Sequence, residues 1–175
     1  MTKPCHHSNS STKDPATFVL AANSKAVTAK IAKCLAPLLQ PGDVVLLNGC
    51  LAAGKTYFTR HIVESLKTSD DISSPTYTIA NIYQTQKCDV LHVDAYRLQG
   101  AQEFHNLGLE MEIEGSICLI EWGARVATAF EDFMRISISL VPVHEAERRF
   151  EVSAQGPRSN CLMQKFIKDC DILWV

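Results

Sequence analysis

The chain has 175 residues, 46% hydrophobic and 21% charged, a balance that fits one soluble globular domain and excludes a fibrous or low-complexity protein. Lys and Arg number 17 against 19 Asp and Glu, and the net charge of −2 offers no basic field for gripping nucleic acid directly. No apolar run nears the ~18 residues of a membrane span, and the N-terminus has no apolar h-region, so neither a membrane protein nor a signal peptide is expected.

Residues 1–15 are polar, Ser/Thr/Lys-rich and patternless, which predicts a disordered tail ahead of one domain over 16–175. Cys5, His6 and His7 lie in that tail with nothing nearby to complete a metal site. Residues 17–20 read as a short strand. Asn23 or Ser24 then caps a helix through about Leu39, apolar at positions 27, 31, 34, 35 and 38, with Pro37 distorting or ending its last turn. Pro41, Gly42 and Asp43 turn the chain into the apolar strand Val44-Val45-Leu46-Leu47.

That strand leads into Gly49-Cys50-Leu51-Ala52-Ala53-Gly54-Lys55-Thr56, the G-x-x-x-x-G-K-[ST] spacing of a phosphate-binding loop. Gly49 and Gly54 permit a tight turn in which successive N–H groups point inward at phosphate oxygens. Cys50 serves there through its backbone N–H. Lys55 reaches the β- and γ-phosphates as a mobile charge, and the Thr56 hydroxyl is placed to ligate Mg²⁺. After Tyr57, apolar positions 58, 62, 63 and 66 have helical spacing, so the loop opens onto a helix N-terminus whose dipole favours an anion. The strand before and the helix after supply the context that separates this motif from a chance match.

Past a polar break at 67–71, Ser73-Ser74-Pro75-Thr76-Tyr77 presents hydroxyls on a loop that Pro75 keeps out of helix. Residues 76–83 and 88–93 read as two strands joined by a polar hairpin, the second running into Asp94. Residues 101–107 form a short helix stopped at Gly108, and 117–120 form another apolar strand, ending in Glu121-Trp122. A short helix is expected over 127–133. Residues 135–141 and 149–154 alternate with period two, as an antiparallel pair across a turn at 142–147, and 162–168 read as a terminal helix. Strands alternating with helices, then a strand pair, predict an α/β fold: a P-loop NTPase-like, mostly parallel sheet flanked by helices, with antiparallel added strands. The seven cysteines (Cys5, Cys34, Cys50, Cys88, Cys118, Cys161, Cys170) are odd in number and scattered, without a C-x-x-C, which suits a reducing cytosol.

A phosphate-loop enzyme needs an acid near its metal, commonly at a strand end. Asp94 and Glu121 both qualify, and position alone does not rank them. Gly49-x4-Gly54-Lys55-Thr56, Ser74-Pro75-Thr76-Tyr77, His92-x-Asp94-x-Tyr96-Arg97-Leu98 and Glu121-Trp122 occur in that order at suitable intervals. In these elements the sequence resembles the TsaE (formerly YjeE) family, over about residues 18–154. The resemblance implies a cytoplasmic ATPase using ATP and Mg²⁺ to make threonylcarbamoyladenosine in tRNA. Its implied partners are the TsaB and TsaD proteins, with tRNA reached only through their complex. It implies that Thr56 and Glu121 hold Mg²⁺, and that Lys55 and the loop amides hold phosphates. Asp94 is then the acid of hydrolysis, Ser74, Pro75, Thr76 and Tyr77 a switch-like loop sensing the γ-phosphate, and Trp122 a neighbour of the nucleotide. His92 and Tyr96 have a plainer reading, as packing or hydrogen-bonding side chains within the strand and turn.

Three departures are visible. The family usually has Gly where Ala52 stands and a second Thr where Tyr57 stands, and an acidic residue or Gln often stands where this chain has Ala124. They bear on nucleotide affinity. Two other functions fit the same loop: a small-molecule kinase, against which stands the absence of a clear Arg-rich lid, and a nucleotide-gated binding module with negligible turnover.

Overall fold

The computed structural model describes residues 17–142 and 144–170. The expected N-terminal tail lies outside the described residues. Seven strands form one sheet: β1 (Phe18–Ala22), β2 (Val44–Asn48), β3 (Ala80–Tyr83), β4 (Val90–Asp94), β5 (Ile117–Glu121), β6 (Phe133–Val141) and β7 (His144–Gln155). Their spatial order is β1-β7-β6-β2-β5-β4-β3. The central four, β6, β2, β5 and β4, run parallel, while β3 on one edge and β7 with β1 on the other are antiparallel additions. This is the α/β arrangement that the alternation of elements predicts.

The helices are α1 (Lys25–Leu35), α2 (Lys55–Ser65), α3 (Ala101–His105), α4 (Glu110–Gly115) and α5 (Pro157–Asp169). They cover both faces, so strands in the middle bury both sets of side chains. In β2, Val45 and Leu47 pack with Ile31, Phe58, Ile62, Phe150 and Phe166 on one side. Val44 and Leu46 pack with Leu91, Val93, Phe104 and Ile120 on the other. That two-sided burial is why 44–47 and 117–120 read as unbroken apolar runs, whereas β6, the last of the parallel four, alternates.

Several boundaries differ from the sequence expectation for identifiable reasons. Ser24 does cap α1, accepting from the Val27 N–H at 3.3 Å, but the α-helix ends at Leu35 and Pro37 sits in a following 3-10 turn, Ala36–Leu38. Residues 76–79 are turn rather than strand, because Ile79 adopts φ 72 and its N–H closes onto the Pro75 carbonyl at 2.7 Å. The helix expected over 127–133 is only a 3-10 turn, Ala127–Ala129, and Phe133 already begins β6, held by antiparallel pairing with Gln155 of β7 that a local pattern does not register. Glu110–Gly115 is a helix that the sequence reading passed over. β7 begins earlier than expected, with His144 already in the strand.

Asp43, buried at the entrance to β2, links the beginning of the sheet to the end of the chain. Its carboxylate accepts the Gln40 N–H at 2.7 Å and the Arg158 guanidinium, and Arg158 also donates to the Pro41 carbonyl at 3.2 Å. Removing it leaves the Gln40 N–H without its acceptor and an arginine without an anion. Asp43→Ala should therefore lose about 2 kcal/mol of stability, at the low end for a broken pair because Arg158 is half exposed. Urea denaturation should show a lower midpoint at unchanged slope, and an unchanged midpoint contradicts the assignment.

Candidate nucleotide-binding site

The site forms at the carboxyl ends of the parallel strands, where α/β sheets bind ligands. The chain leaves β2 at Asn48 and turns through Gly49, whose φ is 146 and where a Cβ would stand 2.4 Å from the Ile138 carbonyl oxygen. Only glycine fits between the loop and β6. The loop re-enters order at Gly54, the N-cap of α2. Between them Ala52 adopts φ 63, a left-handed conformation that costs an alanine roughly 1–2 kcal/mol and a glycine nothing. The Ala52 departure thus carries a strain that glycine would not have.

Lys55 is buried, and its ammonium donates to the carbonyls of Gly49 at 2.9 Å and Cys50 at 3.0 Å. The Trp122 ring lies against the same ammonium, 3.9 Å from its centroid. Burial lowers the Lys55 pKa from its usual 10.5, with Glu121, Cys50 and Asp94 pulling the other way by a smaller amount.

On the far side of the lysine, the strands bring the two acids together. Asp94 and Glu121 are register partners of β4 and β5, both buried, and both end their strands. Glu121 Oε1 accepts the Thr56 hydroxyl at 2.7 Å and meets His92 Nε2 at 3.0 Å. Asp94 accepts the Thr76 hydroxyl at 3.0 Å on one oxygen and the Tyr96 N–H at 2.9 Å on the other. The Thr76 hydroxyl lies 2.8 Å from that of Ser74, so the loop of 74–77 is joined to Asp94 by a relay of hydroxyls. Arg97 donates to the Tyr77 carbonyl at 2.9 Å and closes the loop from behind.

These groups surround a cavity of about 380 Å³, lined by Leu51, Ala52, Lys55, Thr56, Ser74, Thr76, Asp94, Tyr96, Glu121 and Trp122. Its size falls in the range of small-molecule sites. Gly49, Cys50, Ala53 and Gly54 contribute loop backbone rather than cavity wall, and Pro75 and Tyr77 also stand off the wall. Tyr57 goes elsewhere: its hydroxyl donates to the Lys25 carbonyl at 3.3 Å and its ring packs on His61 at 4.5 Å.

Two contributors escaped the sequence reading as site residues. His92, fully buried, holds Glu121 from the side opposite Thr56. Its signal was present in the two-residue spacing to Asp94, which puts both side chains on one face of a strand. Tyr96 packs against Trp122 with ring centroids 5.1 Å apart and planes tilted by 53°, and walls the cavity, and no periodicity announces that. Trp122 itself has φ 58, an outlier for an aromatic residue, with the next turn pinned by Ala124 N–H to Asn48 Oδ1 at 2.8 Å.

A family model described as threonylcarbamoyl adenosine biosynthesis protein TsaE matches residues 22–150, most of the chain and all of this site. The chain belongs to the TsaE family. Curated TsaE proteins of Treponema pallidum and Bacillus subtilis are 35% and 33% identical to it, over 72% and 83% of this chain and 93% and 90% of theirs. That of Rickettsia prowazekii is 44% identical over 57% of this chain and 70% of its own. A crystal structure of Bacillus subtilis YdiB superposes with a TM-score of 0.76 at 27% identity, covering 90% of this chain and 98% of that one. The TsaE-family fold and the geometry of the phosphate loop mark this as a P-loop nucleotide site.

The lowered Lys55 pKa gives a pH signature. The folded chain without ligand disfavours the charged lysine, so this penalty is complete below the lowered pKa and vanishes above 10.5. Stability without ligand should therefore gain as pH rises through that window. A bound polyphosphate reverses the preference by favouring the ammonium, so affinity should fall as pH climbs through the lowered value, with proton uptake on binding. Calorimetric titration in two buffers of different ionisation enthalpy, at neutral and alkaline pH, measures this. A pH-independent heat and affinity across the window contradict it.

Proposed function

We propose that this TsaE-family chain is a Mg²⁺-dependent ATPase of tRNA threonylcarbamoyladenosine biosynthesis, built as one cytoplasmic P-loop domain over 16–175 and acting with TsaB and TsaD. The observation that carries the reading is the convergence of Lys55, Thr56, Glu121 and Asp94 on one cavity, with a hydroxyl-bearing loop tied to Asp94.

The donor set suits magnesium. Thr56 and Glu121 offer hard oxygens 2.7 Å apart, and a metal of this kind keeps water and phosphate oxygens for its remaining positions. No cluster of three or more His, Cys, Asp or Glu able to cage a metal occurs among the described residues, which agrees with a metal shared with the nucleotide. Mg²⁺ held by Thr56 and Glu121 would offset the negative charge of the phosphates. Lys55 and the loop amides hold the phosphates, and Trp122 and Tyr96 wall the site. Asp94 accepts a hydrogen bond from the attacking water and aims its oxygen at the γ-phosphorus, in line with the leaving oxygen. Because Thr76 donates to Asp94, loss of the γ-phosphate alters what holds the 74–77 loop, and Tyr77, 93% exposed, carries that change to the surface.

The two acids should separate on mutation. Glu121→Ala should weaken Mg²⁺-dependent ATP binding by roughly 2 kcal/mol, since it removes a metal ligand and strips Thr56 and His92 of their acceptor. Asp94→Asn should leave binding largely intact and slow hydrolysis by about 10²-fold or more. Wild-type turnover of Asp94→Asn at saturating MgATP removes its catalytic role.

The partner reading has its own test. The chain is small and nearly neutral, without a basic stripe to hold tRNA, and P-loop proteins of this kind often await groups or loop ordering supplied in trans. Turnover should be slow for the isolated protein and should change on adding TsaB and TsaD. Fast turnover indifferent to both favours a free ATPase, and phosphate transfer to small alcohols or nucleosides favours a kinase.

A further inference from the structure

We infer that Arg148, far from the motifs of the site in sequence, is a positioning residue that sets the direction of one phosphate-binding amide; the inference rests on the nucleotide reading above. Arg148 projects from β7 to the phosphate loop, where its Nε donates to the Ala53 carbonyl at 2.8 Å. A second nitrogen of the guanidinium donates to the Glu147 carbonyl at 2.8 Å, which fixes the plane of the group.

The peptide joining Ala53 to Gly54 is planar and trans, so its C=O and N–H point in opposite directions. Arg148 does not line the nucleotide cavity. It borders a separate groove of about 560 Å³ with Val19, Ala21, Glu147 and Arg149. A carbonyl held toward Arg148 therefore points away from the nucleotide, and the Gly54 N–H points into the site. Among the described residues, that N–H has no hydrogen-bond acceptor of its own.

Gly54 has φ 108, a conformation open to glycine and strained for other residues, so a glycine lets the loop present this peptide. Ala52, two residues earlier, is already in a strained conformation. The start of the loop is braced from within, by Lys55 on the Gly49 and Cys50 carbonyls. The far end is braced by Arg148, through a charge-assisted hydrogen bond of the stronger kind. Arg148 can do this because its own backbone is paired on both sides, with Ala22 of β1 and Leu140 of β6.

The test uses the ¹⁵N-labelled full chain and ADP. Arg148→Met should weaken ADP binding about tenfold or more relative to wild type. In the free protein it should shift or broaden the Gly54 amide resonance while leaving that of Val63, deeper in α2, in place. A purely structural role would not single out Gly54. Wild-type ADP affinity in the variant, or lost affinity with the Gly54 resonance unmoved, overturns the inference. Should the Met variant fail to fold, Arg148→Gln, polar but shorter, is read by the same two measurements. A wild-type chain that binds no ADP overturns the nucleotide reading instead, and the Gly54 resonance then still decides what Arg148 holds.

Discussion

A carboxylate taken out of water is tolerated only where hydrogen bonds or opposite charge replace its hydration. Glu121, 4% exposed, meets that condition through Thr56 and His92, which converge on a single oxygen from α2 and β4. Three elements are thereby held at one point. The position of α2 fixes where the phosphate loop opens, and the position of β4 fixes where Asp94 and its loop stand. Were Glu121 free to turn to solvent, the loop helix and the sheet would still pack, but the cavity between them would lose its floor. Lys55, equally buried, adds the compensating positive charge at the opposite wall. The site is electrostatically arranged before any ligand arrives, which is the condition under which fixed charges contribute most to binding and catalysis.

Backbone strain gathers around the same cavity. Of four non-glycine residues with positive φ among the described residues, Ala52, Ile79 and Trp122 belong to the three segments that border it, and only Lys67 lies elsewhere. Such conformations persist where surroundings over-determine them. Ile79 is held at both its N–H, on Pro75, and its carbonyl, which accepts from Asp94. Trp122 is fixed by Asn48 on the following turn and by a tilted ring contact with Tyr96. These constraints place hydroxyls, an indole and loop amides at the ends of strands, where regular structure alone would not aim them.

The same contrast separates what the chain shows in one dimension from what it shows folded. The phosphate loop was legible because its chemistry is local: two glycines, a lysine and a hydroxyl needed at fixed spacing, between an apolar strand and a helix. Asp94 and Glu121 were legible as strand-end acids because two-sided burial makes strands such as 117–120 uniformly apolar until the charge at their end. Their difference was not legible from position, and only the family resemblance implied it. Only the parallel pairing of β5 with β4 and β2 shows that Glu121 faces Thr56 while Asp94 faces the 74–77 loop. The extent of the last strands was likewise blurred, since Phe133 is in a strand by pairing with Gln155 of β7 rather than by its own neighbours.

The sequence by itself therefore determined the class of the protein, the order of its elements and the residue types of the site, all of which depend on spacings of a few residues. The tertiary structure decided which of those residues act together. It turned Tyr57 away to Lys25, brought His92 onto Glu121, seated Trp122 over Lys55 and set Arg148 behind the phosphate loop, 95 residues along the chain from Ala53. Each of those contacts joins segments distant in sequence, and the register of a seven-stranded sheet, not any local pattern, fixes the distance between them.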